Sequence, residues 1–190
     1  VYMYMRLLGY PAGRIAVLTT YNGQKDLLTD IFKQRCAKDP KYGLPQINTV
    51  DKYQGSQNDY VLLSLVRTKH VGHLRDTRRI VVAMSRARLG LYVFGRISIF
   101  KSCNTLDSTM TNFLRRPSRL ALACNENFGS QSSRNVHDPP ENSVFIDEPI
   151  EMGILVNQLA SYPSVCSSLR LTPPTRPTNR GPSTSPAYLT

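Results

Sequence analysis

Two arginines in the stretch VVAMSRARLG, Arg86 and Arg88, follow a run of apolar residues that looks built for a core. Arginine is costly to bury without a partner. The pair is therefore either surface charge trailing a core helix or a means of reaching an anionic ligand. Read as part of an amphipathic helix, RRIVVAMSRAR, the spacing separates them. At ~100° per residue Arg86 and Arg88 diverge by roughly 200° and cannot face one ligand, whereas Arg79 and Arg86 return to nearly one face. Ile80, Met84 and Ala87 form a different, apolar stripe. The pattern predicts a division of labour, with one arginine for an anion and the other spent elsewhere.

Two polar stretches carry further chemistry. DKYQGSQND offers Gln54, Gln57, Asn58 and Asp59 as donors and acceptors, and Gly55 allows close backbone approach. In an open parallel sheet the crevice at the strands' carboxyl ends is where ligands bind. Alone, the stretch reads equally well as an ordinary hydrophilic loop. TTYNGQKD places Gln24 and Lys25 in the first turn of a helix, whose free N–H groups suit phosphate. Alone, that too is only a polar first turn.

The elements that must hold these residues alternate. VYMYMRLLGY reads as the end of a helix closed by Gly9. Ile15–Leu18 is a continuous apolar run, as in a buried strand. A helix follows from Asn22, the expected N-cap, to about Cys36, with Leu27/Ile31 and Leu28/Phe32 as i,i+4 pairs. KDPKYGLP is a loop, QINTV a short strand, and YVLLSLV a second buried strand. RTKHVGHLRDT is a loop before the arginine-bearing helix, which Gly90 closes before the strand LYVFG. Buried strands alternating with helices argue for an α/β fold with a parallel sheet covered on both faces. TLDSTMTNFLRR and EMGILVNQLASY are expected peripheral helices around a polar loop. The domain expectation is 1–104, then an irregular C-terminal extension over 105–162, then a disordered Pro/Ser/Thr-rich tail over 163–190.

Composition narrows the partners. In 190 residues, 24 basic against 13 acidic side chains give a net charge of +11, which favours polyanions such as nucleic acid or nucleotide phosphates. Cys36, Cys103, Cys124 and Cys166 show no paired spacing, which fits a reducing compartment and no zinc site. His70 and His73 lack companions for a metal site. No apolar run approaches the ~20 residues of a membrane helix, and no signal-peptide pattern is present. The chain opens in mid-pattern at Val1, as expected of a fragment. Tyr53 is expected in the core rather than stacked on a base, and Arg170, Arg176 and Arg180 in a solvated tail.

In order and spacing, VLTTYNGQK, TVDKYQGSQNDYVLLSLVR and RRIVVAMSRARLGLYVFG resemble motifs IV, V and VI of superfamily-1 RNA helicases of the Upf1-like group. The resemblance covers about Arg14 to Gly95. It implies a RecA-like second helicase domain of the P-loop NTPase fold, working with a first RecA-like domain in cis, binding ATP with Mg²⁺ between the two and RNA across both. It further implies a nuclear role in splicing, with a pre-mRNA intron and spliceosomal proteins as partners. In that frame Arg86 matches the arginine that reaches the γ-phosphate, where charge spreads over the phosphoryl oxygens during transfer. Arg88 is expected to anchor the helix or nearby loop, or to sit beside the nucleotide. Gln24, Lys25, Gln54, Gly55 and Gln57 match nucleotide-side positions, and Thr19, Thr20, Thr49 and Arg67 are candidates for RNA or interdomain contacts.

Two departures stand out. Many relatives carry Glu where Gln57 stands, as an acceptor for the nucleotide ribose. Lys25 stands where relatives often have an arginine, so the charge is kept and the bidentate fork lost. No GxxxxGK(S/T) phosphate loop occurs in the sequence. VFIDEP resembles a Walker B strand but follows motif VI instead of preceding motif IV, and is expected to be a surface segment. The isolated chain is therefore not expected to hydrolyse ATP. The alternative is a non-catalytic scaffold for RNA or protein in the spliceosome.

Overall fold

The computed structural model describes residues 1–65, 76–96, 98–99, 111–112, 115, 120–123, 127–129, 143–161 and 188–189. The apolar run after Arg14 forms β1 (Ile15–Thr19), buried at every residue. It pairs in parallel with β2 (Gln46–Thr49) on one side and β3 (Asn58–Leu65) on the other, and β3 pairs in parallel with β4 (Ala87–Gly95). Parallel neighbours need crossovers. Helix α2 (Asn22–Cys36) links β1 to β2 and α3 (Thr77–Met84) lies between β3 and β4. The link from β2 to β3 is short and contains a 3₁₀ turn, Asp51–Tyr53.

Strand side chains alternate between faces, so each strand feeds two cores. Ala16, Leu18, Val61, Leu63 and Val93 pack with Ile80 and Ala83 of α3. Ile15, Val17 and Leu62 pack on the other face with Cys36 of α2 and with Tyr2 and Met5 of α1 (Tyr2–Leu7). Helices thus cover both faces of a parallel sheet, the RecA-like arrangement. In α2 only one expected apolar pair turns inward. Leu28 and Phe32 pack on the core, Phe32 edge-on to Tyr2 at 5.0 Å, while Leu27 and Ile31 face solvent. Tyr53 is buried, as expected.

The arginine-bearing helix is shorter than the sequence suggests. It stops at Met84, and Ala87 and Arg88 already belong to β4. The cause is tertiary. The Asn58 amide donates to the Arg86 carbonyl at 3.0 Å, taking the acceptor that a continuing helix would use for its own ladder. Gly90 does not close a helix; it pairs with Tyr60 inside the sheet. A Cβ there would stand 3.0 Å from Tyr60 Cδ1, so the glycine serves close approach within a strand. Gly90→Val is expected to destabilise the domain by about 1–3 kcal/mol through overpacking, measured as a lowered midpoint in urea unfolding. At the other end of α3, Asp76 accepts from the Arg78 amide at 3.1 Å. Its side-chain hydrogen bond with Arg78 holds the carboxyl below the usual carboxylate range.

The extension is more regular than expected. β5 (Leu120–Ala123) and β6 (Ser143–Ile146) form a separate antiparallel pair, and α4 (Pro149–Ser161) packs beside them. Their core includes Leu122, Ile146, Leu155 and Leu159, with Tyr4 and Leu8 from the first helical turns of the chain. Helix α1 therefore joins two cores, Tyr2 and Met5 facing the main sheet and Tyr4 the small one. VFIDEP is the end of β6 and the start of α4. Its Ile146 is buried, and Glu151 accepts from the Asp147 and Glu148 amides at 2.8 and 3.1 Å. Within the expected disordered tail, Tyr188–Leu189 form β7, antiparallel to β4. Most of TLDSTMTNFLRR and the rest of the tail lie outside the described residues.

Candidate functional site

Because β1 to β4 run the same way, the polar loops sort to two edges of the sheet. At the amino edge lie Gly13 and Arg14 before β1, Ser56 and Gln57 before β3, and Ser85 and Arg86 before β4. At the carboxyl edge lie Thr20, Tyr21, Val50 and Lys52, with the first turn of α2. A five-residue strand separates the edges by roughly 15 Å. The residues expected to gather around one nucleotide are therefore divided. Gln24 and Lys25 stand at the carboxyl edge, while Gln57, Arg86 and Arg88 stand at the amino edge. Gln54 and Gly55, with φ +82° at the glycine, lie on the crossing between them. The loop was expected at the carboxyl-end crevice; it instead carries the chain from one edge to the other.

At the amino edge the loop before β3 and the turn before β4 are zipped together. Gln57 Nε2 donates to the Ser85 carbonyl at 3.3 Å, and the Asn58 amide donates to the Arg86 carbonyl. The Arg86 guanidinium donates through Nε to the Val82 carbonyl at 2.9 Å. Its two terminal nitrogens donate to the Ser56 carbonyl at 3.2 Å and to Ser85 Oγ at 2.8 Å. All three acceptors are neutral. Among the described residues no carboxylate lies within ion-pair range of Arg86. A guanidinium has five N–H donors; among the described residues three are engaged, leaving two. The side chain is thus oriented, charged and uncompensated, which suits it to an incoming anionic oxygen.

Arg88 is used differently. β3 places one residue, Asp59, opposite two of β4, Arg88 and Leu89, since Asn58 pairs with Ala87 and Tyr60 with Gly90. This bulge re-aims side chains. Arg88 meets Asp59 at 2.7 Å and Leu89 is left 68% exposed. Asp59 also meets Arg14 at 3.6 Å, and its own side chain is only 13% exposed. Arg14 in turn lies over the Phe128 ring at 5.5 Å. Arg88 therefore ties β4 to β3. Asn58 completes the frame, its side chain donating to the Gly13 carbonyl at 3.1 Å.

The carboxyl edge carries Lys25 and Lys52 beside the exposed carboxylates of Asp26 and Asp51. Tyr21, not Asn22, is the N-cap of α2, and no side chain caps the helix, so its first N–H groups have no side-chain acceptor. Lys25 lies in that first turn, 3.9 Å from Asp26. Thr20 Oγ1 is buried with no hydrogen-bond partner among the described residues. Thr19 and Thr49, candidates for RNA or interdomain contacts, sit inside the fold of this chain. Both are buried; Thr19 donates to the Ser64 carbonyl at 3.2 Å and Thr49 accepts from the Lys52 amide at 3.4 Å. Exposed Lys52 was missed by sequence reasoning, as were Asp59, Ser56 and Ser85 as partners of the arginines. A lysine two residues beyond the expected strand QINTV was the available signal for Lys52. Arg67, His70 and His73 lie outside the described residues. Among the described residues no cluster of potential metal ligands occurs, and no helix is long and apolar enough to cross a membrane.

Comparison with known proteins bears on both edges. The chain matches the family described as AAA domain over residues 2–98. It belongs to that family. The AAA domain takes in α1, the four parallel strands and both polar edges. Over 150 residues, 78% of this chain, the sequence is 51% identical to RNA helicase aquarius from Mus musculus. It is 39% identical over 101 residues, 52% of the chain, to the helicase required for RNAi-mediated heterochromatin assembly 1 of Schizosaccharomyces pombe. It is 29% identical over 132 residues, 68% of the chain, to pre-mRNA-splicing factor cwf11 of the same yeast. The chain spans 10% of the length of each of these relatives. Two of the three bear the name helicase, in line with the resemblance carried by the motifs of the AAA domain.

Proposed function

We propose that this AAA domain is the second motor domain of an ATP-dependent RNA helicase acting on pre-mRNA introns in the nuclear spliceosome. It works with a Walker-bearing first RecA-like domain in cis. The observation that supports it most is Arg86, held by three neutral acceptors and matched by no carboxylate among the described residues. Bound in the cleft between the two domains, ATP supplies the phosphoryl group whose transfer spreads charge over its oxygens. The residues of the amino edge fit that group. Arg86 directs its two remaining donors to those oxygens, and Ser56, Gln57 and Ser85 hold the turn from which it reaches. Mg²⁺ and the inner phosphates fall to the first domain, since this chain has no phosphate loop. Arg88 and Asp59 keep β3 and β4 in register beneath the site.

RNA belongs at the other edge in this reading. Gln24 and Lys25 are reassigned from the nucleotide to the RNA path, where Thr20 is already a candidate, with Lys52 beside them. The separation of the edges supports this, as does the uncapped start of α2. The names of the mouse and fission-yeast relatives support RNA and the splicing machinery as partners. Replacing both Lys25 and Lys52 by alanine is expected to weaken binding of single-stranded RNA to this chain and to flatten its salt dependence by about 1.4 units. Fluorescence anisotropy across a salt series measures both. RNA-stimulated ATP turnover by the two-domain protein tests the motor reading itself. The scaffold alternative draws on Gln57, whose amide is engaged by Ser85 rather than held free; it predicts RNA binding without turnover.

A further inference from the structure

We propose that Ser85 is a positioning residue for Arg86, its hydroxyl fixing the direction in which the guanidinium presents its two unengaged donors. The inference rests on the reading of Arg86 given above. A serine hydroxyl has one proton and two acceptor lone pairs. Here the proton goes to the Val82 carbonyl at 2.9 Å, so the oxygen faces Arg86 as an acceptor, at 2.8 Å. The same Val82 carbonyl takes Arg86 Nε. Val82, Ser85 and Arg86 thereby close a small ring of hydrogen bonds on the last turn of α3, at the negative end of the helix dipole. The ring is anchored from outside, because Gln57 Nε2 donates to the Ser85 carbonyl. Without the hydroxyl, Arg86 keeps two of its three bonds but regains rotation about its terminal torsions.

Ser85 is itself exposed, and the backbone bonds that shape its turn do not use the hydroxyl: the Ser85 amide reaches the Val81 carbonyl and the Arg86 amide the Ala83 carbonyl. Removing the hydroxyl therefore acts on the arginine and spares the fold. The test is RNA-stimulated ATP turnover by the two-domain protein carrying Ser85→Ala, Ser85→Thr or Arg86→Ala, with Tm recorded for each. Ser85→Ala is expected to lower kcat about tenfold, the worth of one charge-assisted hydrogen bond, with KM within about twofold and Tm unchanged. Ser85→Thr restores the rate. Wild-type kcat in Ser85→Ala beside an inactive Arg86→Ala overturns the role of Ser85 alone. Loss in Ser85→Ala that threonine does not rescue, or that follows a fallen Tm, overturns it as well. Wild-type turnover in Arg86→Ala instead removes the reading on which it rests.

Discussion

Replacing Arg86 by alanine in the two-domain protein is expected to lower ATP turnover by about 10³- to 10⁵-fold, the range in which an arginine directed at a transferring phosphoryl group acts. Affinity for ATP is expected to change little. The asymmetry follows from where the charge develops. A guanidinium that meets the terminal phosphate only as charge spreads over its oxygens stabilises the transition state more than the ground state, so its removal appears in kcat. Steady-state turnover, with nucleotide affinity measured separately by a fluorescent analogue, distinguishes the two effects. The structure also says why alanine here should not unfold the domain. The backbone carbonyl of Arg86, which receives the Asn58 amide, is untouched by the substitution, and the lost side-chain bonds lie on an exposed turn. Loss of ATP affinity with kcat unchanged would assign Arg86 to uniform binding instead.

The second large effect is expected at Asp59. Its carboxylate is mostly buried and faces Arg88 at 2.7 Å and Arg14 at 3.6 Å. Alanine leaves both arginines without that carboxylate and removes the bond that draws β4 into its bulge. Breaking a buried pair is costly because of the charge left behind. Both guanidinium groups are more than half exposed, however, at 56% and 55%, so water recovers part of the loss. The expected cost is about 1–3 kcal/mol, a fall in Tm of roughly 5–10 °C for a domain of this size. Adding Arg88→Ala to Asp59→Ala should cost little more, since the pair acts as one unit. Full additivity of the two single losses in thermal unfolding would contradict the pairing.

Much of the framework was legible because its signals are local. The run Ile15–Leu18 declares a buried strand by its lack of polar residues, and the i,i+4 pairs Leu27/Ile31 and Leu28/Phe32 declare the helix α2, though not which pair turns inward. What escaped was set by partners distant in sequence. Nothing between Met84 and Gly90 announces that the helix ends early, because the group that ends it is the amide of Asn58, on another strand. The expected separation of Arg86 from Arg88 does occur, but through a strand bulge opposite Asp59 and not through helical rotation. Thr19 and Thr49 are candidates for RNA or interdomain contacts in the sequence, but the packing of β1 between β2 and β3 buries the first, and the 3₁₀ turn at Asp51 draws in the second. Lys25 and Arg86 stand apart for a topological reason. A residue after a strand and a residue before a parallel strand lie at opposite edges, and motif spacing does not display that.

The measurement that bears most directly on the amino edge is the affinity of wild-type and Arg86→Ala two-domain protein for ADP with aluminium fluoride, which mimics the phosphoryl group in flight. If Arg86 acts on that group, the substitution weakens the analogue by a factor approaching the loss in turnover while ATP affinity holds. Equal affinity for the analogue in both proteins would contradict the role assigned to Arg86, and with it the placement of the nucleotide at this edge.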